Sequence, residues 1–339
     1  MTENIEDEEE SWYEHHRIIA DRGQSLMRLD HYLRHHLPSI TRTKLQNAIE
    51  TESVKVNDKA VKASYKIKPF DVVTVSLPHP PRQTEILPEA IPLDIIYEDD
   101  ELLVINKPAG LVVHPGFGNW TGTLVNALVY HFEQLPTGRN GEARPGLIHR
   151  IDKDTSGLMV IAKTEYAMAH LGRQFFEHTI ERTYVALVWG EPKESNGTIR
   201  GHIGRSPRDR KVMAVYTDGS QGKHAVTHYQ LLRSFRYVSL VRCNLETGRT
   251  HQIRAHFQFL GHPLFSDAVY GGDKILRGTT SGSYRAFVEN CFELMPRQAL
   301  HAQSLGFQHP RTKQWLQFEV SLPADFQAVL EKWEKYASE

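Results

Sequence analysis

The chain has 339 residues, of which 40% are hydrophobic and 24% charged, a composition typical of globular proteins with room for two domains. No run of about 18 apolar residues occurs, so we expect no membrane span, and the acidic first residues argue against a secretory signal peptide. The two cysteines, Cys243 and Cys291, show neither metal-binding nor redox spacing, which indicates a reducing, cytoplasmic location.

Residues 1–24 are predicted to form an acidic, disordered tail. The first 14 residues contain seven acidic side chains and neither lysine nor arginine. Since the whole chain has a net charge of −1, residues 15–339 carry +6. An acidic tail on a mildly basic body suits a protein that meets a polyanion, although a solvated tail on a nearly neutral protein would carry the same charges.

Residues 25–77 are predicted to form a small α/β domain. Leucines recur at helical spacing between residues 26 and 37, which indicates a first helix. A second helix is expected to follow, with Ser39 or Thr41 as its cap. Two short apolar runs then predict strands, at 54–58 and 71–75.

The same segment is basic. Residues 25–70 have a net charge of +5, and we expect Arg42 and Lys44 on one exposed face. Matching segments at 27–30, 41–42, 54–57 and 71–75 give this stretch a pattern that resembles the S4 RNA-binding domain. Ser53 departs from that family, which usually has glycine there. The resemblance implies RNA contacts from Arg28, Arg42 and Lys44; the alternative is a basic domain that packs on the rest of the chain and binds nothing.

Five prolines between residues 78 and 92 predict a stiff, extended linker, because proline fixes φ and removes a backbone donor. The domain boundary is therefore expected here, with a second domain over 93–339. Its apolar patterns predict strands at 102–105, 158–161, 184–189, 237–243 and 315–320, and helices at 123–133, 165–178, 250–260 and 325–336. No glycine-rich nucleotide loop occurs, so a Rossmann or P-loop enzyme is not expected.

The densest group of polar residues lies at 146–157, with the sequence Gly-Leu-Ile-His-Arg-Ile-Asp-Lys-Asp-Thr-Ser-Gly. A short apolar strand is expected to end in this turn, and another to follow it. Polar side chains between buried strands are costly unless their loop lines a cleft, which makes this stretch a candidate site. A surface turn with an Asx hydrogen bond from Asp152 or Asp154 is the alternative.

A second charged stretch, 246–256, is expected to join a strand to a helix. Gly248 would end the strand and Thr250 would cap the helix. His251 and Arg254 then lie one turn apart on the same helix face. A cleft wall and an ordinary solvated helix face both fit this pattern.

Several motifs between residues 93 and 325 follow one another in a fixed order. They are His149-Arg150-Ile151-Asp152 with Thr155-Ser156-Gly157, then 181–188 around Tyr184, then Gly248 to Arg254, with shorter matches at 106–110, 211–215, 261–263 and 300–302. In type, order and spacing they resemble the RluA family of pseudouridine synthases. Ile151 stands where that family has leucine, which is a conservative change.

This resemblance implies an α+β fold, with a mixed, mainly antiparallel sheet and a central cleft beside the small α/β S4-like domain. It also implies an isomerase that converts uridine to pseudouridine in RNA, with no cofactor and no metal. Asp152 would be the catalytic carboxylate, Arg254 its ion-pair partner and Tyr184 an aromatic that stacks on the base. From the pattern alone Tyr184 is an ordinary core aromatic, and Asp152 could attack the sugar or the base or remove a sugar proton.

RNA is the partner that the resemblance implies, most specifically 23S rRNA near helix 69. Arg150 would fill the gap left by an ejected uridine, and His149 and Arg249 would also contact RNA. A basic loop would follow the phosphate backbone, through Arg205, Arg208, Arg210 and Lys211. The alternatives are a tRNA uridine isomerase, a glycosidase that releases uracil, and a non-catalytic RNA-binding or ribosome-assembly factor. We expect a monomer.

Overall fold

The computed structural model describes residues 13–37, 40, 42–77, 86–116, 118–132, 135–136, 145–209 and 211–338. The chain divides into two compact units, Met1–Thr84 and Glu85–Glu339. Across the described ranges, no helix is long and apolar enough to cross a lipid bilayer. The expected helix caps Ser39 and Thr41, and residues 78–85 of the expected linker, lie outside the described residues.

The first unit combines helices with two small sheets. Its described elements are β1 (Tyr13–Ile19), β2 (Met27–Arg28), α1 (Leu29–His36), α2 (Arg42–Glu50), β3 (Val54–Val56), β4 (Lys59–Ala60), β5 (Lys66–Ile67) and β6 (Val72–Leu77). One sheet has the order β1-β6-β3-β4, and β2 pairs with β5. Leu29 and Leu33 of α1 are buried, as the helical spacing predicts, and they share a core with Leu45 and Ile49 of α2. Apolar packing between the helices and the sheet therefore forms this unit.

Strand β1 shows that the predicted disorder of the N-terminal tail is wrong for residues 13–19. It lies within residues 1–24, which the sequence assigns to a disordered segment, yet it pairs antiparallel with β6. Five of its seven side chains are exposed, so no apolar alternation marks it as a strand. Backbone hydrogen bonds to β6 hold the strand in place, and Ala20 is buried directly after it.

The second unit is built on one mixed sheet with ten strands in its described part. Its elements are β7 (Ile95–Glu98), β8 (Leu102–Lys107), α3 (Leu124–His131), β9 (Ser156–Ala162), α4 (Glu165–Phe176), β10 (Glu181–Trp189), β11 (Asn196–Arg205), β12 (Met213–Tyr216), β13 (Lys223–Ser234), β14 (Val238–Leu245), α5 (Gln252–Phe259), α6 (Gly282–Leu294), β15 (Leu300–Gln308), β16 (Trp315–Glu319) and α7 (Ala324–Ser338). The sheet order is β12-β11-β13-β14-β10-β15-β9-β8-β7, with β16 also paired to β15. Among these described strands only β9 and β15 pair in parallel. The predicted α+β class with a mixed, mainly antiparallel sheet is confirmed.

Strand β10 is buried on both faces of this sheet. Tyr184, Ala186 and Val188 belong to one core, together with strands β8 and β9. Val185, Leu187 and Trp189 belong to another, which helices α6 and α7 cover. Successive side chains of a strand point to opposite faces, so a strand covered on both sides appears in the sequence as one continuous apolar run.

The sequence patterns miss five strands and one helix of this unit, namely β7, β11, β12, β13, β15 and α6. Strand β15 contains glutamine, serine and glycine and has little apolar alternation. It is a strand because β10 lies along one side and β9 and β16 lie along the other. Conversely, the apolar strand expected just before the 149–157 loop is absent from the described residues, where Leu147 forms only an isolated bridge with Ile161.

Candidate active site

Asp152 lies in the loop that precedes β9. Its neighbour Ile151 is buried in the core that also contains side chains of β8, β9 and β10, and this burial anchors the loop. The Asp152 carbonyl accepts a hydrogen bond of 3.1 Å from the Thr155 backbone, which closes a turn. The Asp152 side chain is 19% exposed and lies on the wall of a cleft. The sequence therefore buries the residue before the carboxylate and leaves the carboxylate itself accessible.

Lys107, at the end of β8, supports this loop from below. Its ammonium donates three hydrogen bonds to backbone carbonyls, to Pro108 at 2.7 Å, Leu111 at 2.9 Å and Lys153 at 2.8 Å. Burial lowers the pKa of Lys107 to about 7. Three carbonyl acceptors match the three protons of the ammonium form, so the charged form makes the complete set of contacts.

Helix α5 brings Arg254 to the same cleft. The Nη1 atom of Arg254 donates to Oδ2 of Asp152 at 3.0 Å, across 102 positions of sequence. The predicted cap at Thr250 is wrong: the helix begins at Gln252, after His251 with a positive φ of 54°. The side chain of Gln252 accepts from the Arg249 backbone at 3.0 Å, which closes the turn that leads into the helix.

A second carboxylate, Asp267, holds the other side of Arg254. The Nε and Nη2 atoms of Arg254 donate to the two carboxylate oxygens of Asp267 at 2.7 and 2.9 Å. Asp267 also accepts from the backbone of Val269 and Tyr270, at 3.1 and 3.2 Å. Burial alone would lower the pKa of Arg254, but contact with Asp267 and Asp152 outweighs it and raises the pKa. The guanidinium is thus permanently charged and fixed in orientation.

His251 faces the free side of the Asp152 carboxylate. Its Nε2 atom lies 3.9 Å from Oδ1 of Asp152, and its Nδ1 atom lies 3.1 Å from the Tyr270 hydroxyl. That hydroxyl accepts from the Met213 backbone at 3.0 Å, so its own proton is directed at Nδ1. Burial lowers the pKa of His251. A neutral imidazole with its proton on Nε2, toward Asp152, fits all of these contacts.

Tyr184 lies on β10, opposite Cys243 of β14 and Ala302 of β15. It is buried in the same core as Ile151, the residue before Asp152. Burial raises the pKa of Tyr184; the charge of Arg182 opposes this shift and the charge of Asp152 adds to it, and because burial dominates the hydroxyl stays protonated.

The cleft has a volume of about 330 Å³. It contains Asp152, Arg254, His251 and Asp267, and Arg150 is exposed at its edge. The remaining lining residues are Lys153, Asp154, Ser266, Ala268, Val269, Pro296, Arg297 and Gln298. Both signs of charge meet here, on walls that are partly enclosed, which suits a polar substrate.

The other residues expected to contact RNA in this unit occupy different environments. The ring of His149 stacks on Phe175 and its Nε2 accepts from the Val160 backbone at 3.0 Å, while burial lowers its pKa to about 3. Arg249 donates through Nε to the carbonyl of His224 at 2.9 Å. The ring of His149 is therefore packed in the fold with its Nε2 atom engaged by the backbone, and its contact with RNA stays a prediction. Three residues of the basic loop are exposed, Arg205, Arg208 and Lys211, and Arg210 lies outside the described residues.

In the first unit, Arg28 and Arg42 converge on one buried carboxylate. Arg28 donates twice to Asp30, at 3.0 Å each, and a nitrogen of Arg42 lies 3.9 Å from the same side chain. Lys44 is exposed on α2. Both arginines are about half exposed, so one negative charge supports two cations at the surface.

Sequence reasoning misses four residues of this site: Lys107, Asp267, Tyr270 and Arg297. Lys107 lies in one of the family-like motifs, but the motif by itself gives it no role. Asp267 follows the buried pair Leu264 and Phe265, and a carboxylate in an apolar run is a usable signal. Its pairing with Arg254 depends on the turn at residues 267–272, which no local pattern predicts.

Both the sequence and the fold match known proteins. The sequence profile described as RNA pseudouridylate synthase covers residues 101–259, and the S4 domain profile covers 27–73. An RNA pseudouridine synthase of Chlorobaculum parvum is 49% identical over 317 residues, 93% of this chain and 96% of that protein. The ribosomal large subunit pseudouridine synthase D of Zymomonas mobilis is 44% identical over 304 residues, 89% of this chain and 92% of that protein.

A solved structure gives the same result. Human RNA pseudouridylate synthase domain containing 1 is 28% identical with a TM-score of 0.51, over 71% of this chain and 89% of that one. The chain therefore belongs to the RNA pseudouridine synthases, a family of isomerases. The predicted resemblance to the RluA type with an N-terminal S4 domain is confirmed, and its relatives include enzymes named ribosomal large subunit pseudouridine synthase D.

Proposed function

We propose that this enzyme isomerises uridine in 23S rRNA, in the region of helix 69, with Asp152 as its catalytic carboxylate. The contact of 3.0 Å between Asp152 and Arg254 is the observation that supports the catalytic role, because it places an accessible carboxylate against a buried, fixed cation. The rRNA target is supported by the relatives from Zymomonas mobilis and Nitrosomonas europaea, both at 44% identity and both named for the large ribosomal subunit. An enzyme acting on rRNA would work in the cytoplasm.

The reaction exchanges one glycosidic bond for another. The N1–C1′ bond of the uridine breaks, the uracil turns within the cleft, and a C5–C1′ bond forms. The proton on C5 leaves and N1 gains one, so neither oxidation nor net hydrolysis occurs. The protein must therefore hold a detached base, keep water away from C1′ and move one proton.

Asp152 would act as the carboxylate that meets the sugar or the base. Arg254 gives Asp152 one hydrogen bond and gives Asp267 two, so most of its hydrogen-bonding capacity is used away from the reacting group. The Oδ1 atom of Asp152 remains available on the side facing His251. This arrangement fixes the carboxylate without saturating it, which a reacting group requires.

The target uridine would first have to leave its RNA helix in order to enter the cleft. A uridine in folded RNA has to be flipped out before its C1′ can approach Asp152. Arg150, which lines the cleft, would fill the space that the uridine vacates. Tyr184 would stack on the flipped base, since it shares a core with Ile151, next to Asp152, and keeps a protonated hydroxyl. Arg205, Arg208 and Lys211 would contact phosphates on the described part of the basic loop.

Complementation tests the catalytic role and the target together. Cells that lack this protein receive the wild type, Asp152→Asn or Asp154→Asn, and pseudouridines are mapped in rRNA and tRNA. We expect the wild type to restore sites in 23S rRNA and Asp152→Asn to match the empty cells. Asp154→Asn, a carboxylate in the same loop and cleft, should restore most of the modification.

Each other outcome contradicts one part of the proposal. Full modification by Asp152→Asn would refute its catalytic role, provided that both variants accumulate to equal levels. Sites restored only in tRNA would replace the rRNA target. No site restored by the wild type would favour a non-catalytic RNA-binding factor.

A further inference from the structure

Arg297 connects the catalytic loop to the C-terminal helix. Its Nη1 atom donates to the backbone carbonyl of Asp154 at 3.0 Å, two residues beyond Asp152. Its Nε and Nη2 atoms donate to both carboxylate oxygens of Asp325, at 2.7 and 2.9 Å. Asp325 lies in the first turn of α7. One side chain therefore joins the loop to a helix that begins 170 positions after the loop carbonyl it binds.

Two buried cations hold consecutive carbonyls of the loop. Lys107 binds the carbonyl of Lys153, and Arg297 binds that of Asp154. The side chain of Arg297 is only 7% exposed, and a guanidinium cannot shed its charge when it is buried. The negative charge of Asp325 offsets the desolvation cost of burying this guanidinium next to the loop.

Helix α7 is fixed independently of this ion pair. Phe326, Val329 and Trp333 are buried in the core that also contains Trp189 and Phe265. The Asp325 carboxylate further accepts from the Phe326 backbone at 2.8 Å. The core thus sets the position of Asp325, Asp325 orients Arg297, and Arg297 in turn locates the loop.

We infer that Asp325 and Arg297 are positioning residues of the isomerisation, through which the C-terminal helix holds Asp152 in line with Arg254. This inference rests on the proposed catalytic role of Asp152. Without the charge of Asp325, the guanidinium turns toward the loop carboxylates of Asp152 and Asp154 and pulls the loop out of register. Misplacement of a reacting group by about 1 Å costs up to about 100-fold in rate, without loss of substrate binding.

The test measures the chemical step separately from binding. Total RNA labelled with 5-tritiated uridine is prepared from cells that lack this protein, and tritium release is followed with enzyme in excess. The plateau rate at high enzyme concentration reports chemistry, and the half-saturating enzyme concentration reports binding. For Asp325→Asn we expect a plateau rate about 10 to 100-fold lower, with half-saturation within about two-fold of wild type.

Matched variants isolate the role of this ion pair. Asp325→Asn keeps one oxygen, which can still accept from the Phe326 backbone and from Nη2 of Arg297, so the change removes the charge and the acceptor for Nε of Arg297. Glu334→Gln breaks another ion pair of α7, that with Arg233 of β13, and should leave the plateau rate unchanged. Asp325→Glu restores the charge and should recover part of the rate. A residue that served folding alone would shift the unfolding temperature and leave the plateau rate of the folded enzyme unchanged.

Several results would overturn the inference. One is a wild-type plateau rate in Asp325→Asn, and another is an equal loss of plateau rate in Glu334→Gln. A third is a change in Asp325→Asn that affects only the half-saturating enzyme concentration. If Asp325→Asn does not fold, Arg297→Lys decides, because an ammonium keeps the charge but cannot hold both oxygens of Asp325 and the loop carbonyl together. A wild-type rate in that variant would also refute it. Activity in Asp152→Asn would instead remove the proposed function on which the inference rests.

Discussion

The two carboxylates around Arg254 are held in unequal ways. Asp267 is completely buried, takes two hydrogen bonds from the guanidinium and accepts two more from backbone amides. Asp152 takes one and remains partly exposed. Asp267 is therefore the structural counter-ion, and Asp152 remains free to react. Sequence resemblance pairs Arg254 with Asp152 alone, because only these two residues lie in the recognisable motifs.

Histidine burial makes the stability of the second unit depend on pH. His256 is fully buried, with Nδ1 at 2.8 Å from the Thr227 hydroxyl and Nε2 without a partner among the described residues. Burial lowers its pKa to about 4, whereas an unfolded histidine titrates near about 6.5. The unfolded chain therefore binds this proton first, and stability is lost as pH falls from about 6.5 to 4.

We expect His256→Asn to reduce this pH dependence. The slope of unfolding free energy against pH should fall by up to one proton, about 1.4 kcal/mol per pH unit, between pH 6.5 and 4. Urea unfolding followed by tryptophan fluorescence measures it, because four of the five tryptophans lie in the second unit. Equal slopes for wild type and variant would show that His256 takes its proton in the folded state.

At the scale of elements, the parallel contact between β9 and β15 fixes the end of the loop that carries Asp152. Gly157 pairs with Ala302, and Ser156 lies 2.9 Å from His301 through its hydroxyl. Gly157 has a φ of 115°, and a Cβ there would lie 2.2 Å from the Ala302 carbonyl oxygen. Only glycine permits this approach, and it follows the Asp152 loop directly.

Gly157→Ala should destabilise the second unit by about 3 kcal/mol or more, since backbone strain and a steric clash add together. Gly110→Ala is the control: Gly110 has a φ of 86° but nothing within 4 Å of its added Cβ, so strain alone should cost about 1 to 2 kcal/mol. Urea unfolding compares the two. Equal losses would mean that the close approach to Ala302 carries no energy.

At the scale of the whole molecule, one chain contains a basic unit that matches the S4 domain profile and a second unit that matches the pseudouridylate synthase profile. Arg42 and Lys44 are exposed on α2 of the first unit, and neither lies in the unit that contains Asp152. Charge on this unit should therefore act on affinity and leave the chemical step unaffected.

Replacing Arg42 and Lys44 by glutamine together should weaken binding of unmodified rRNA and leave the plateau rate of tritium release unchanged. Each phosphate contact that is lost should reduce the slope of log affinity against log salt by about 0.7 to 0.9. Titrations at several salt concentrations measure it. Arg17→Gln is the control, because Glu14 already neutralises that arginine. An unchanged salt slope in the double variant would show that this face does not meet RNA.

How far the sequence predicts this protein depends on the range of each interaction. Helix α1 and strands β8, β9 and β10 follow from local apolar spacing, since their burial is periodic or continuous. Strand β15 escapes prediction because its partners, not its composition, make it a strand. Strand β1 escapes for the same reason, with most of its side chains in solvent.

By itself the sequence determined the family, the α+β class and the residues from which a catalytic site would be chosen, because motif order and apolar periodicity are written along the chain. Only the tertiary structure decided that Asp152 shares Arg254 with Asp267, and that Lys107 and Arg297 hold the loop from beneath. Those contacts join residues that are far apart in the chain, and they arise from backbone carbonyls and buried charges. Carbonyls are common to every residue, so no pattern of side chains distinguishes the ones that a buried cation will bind.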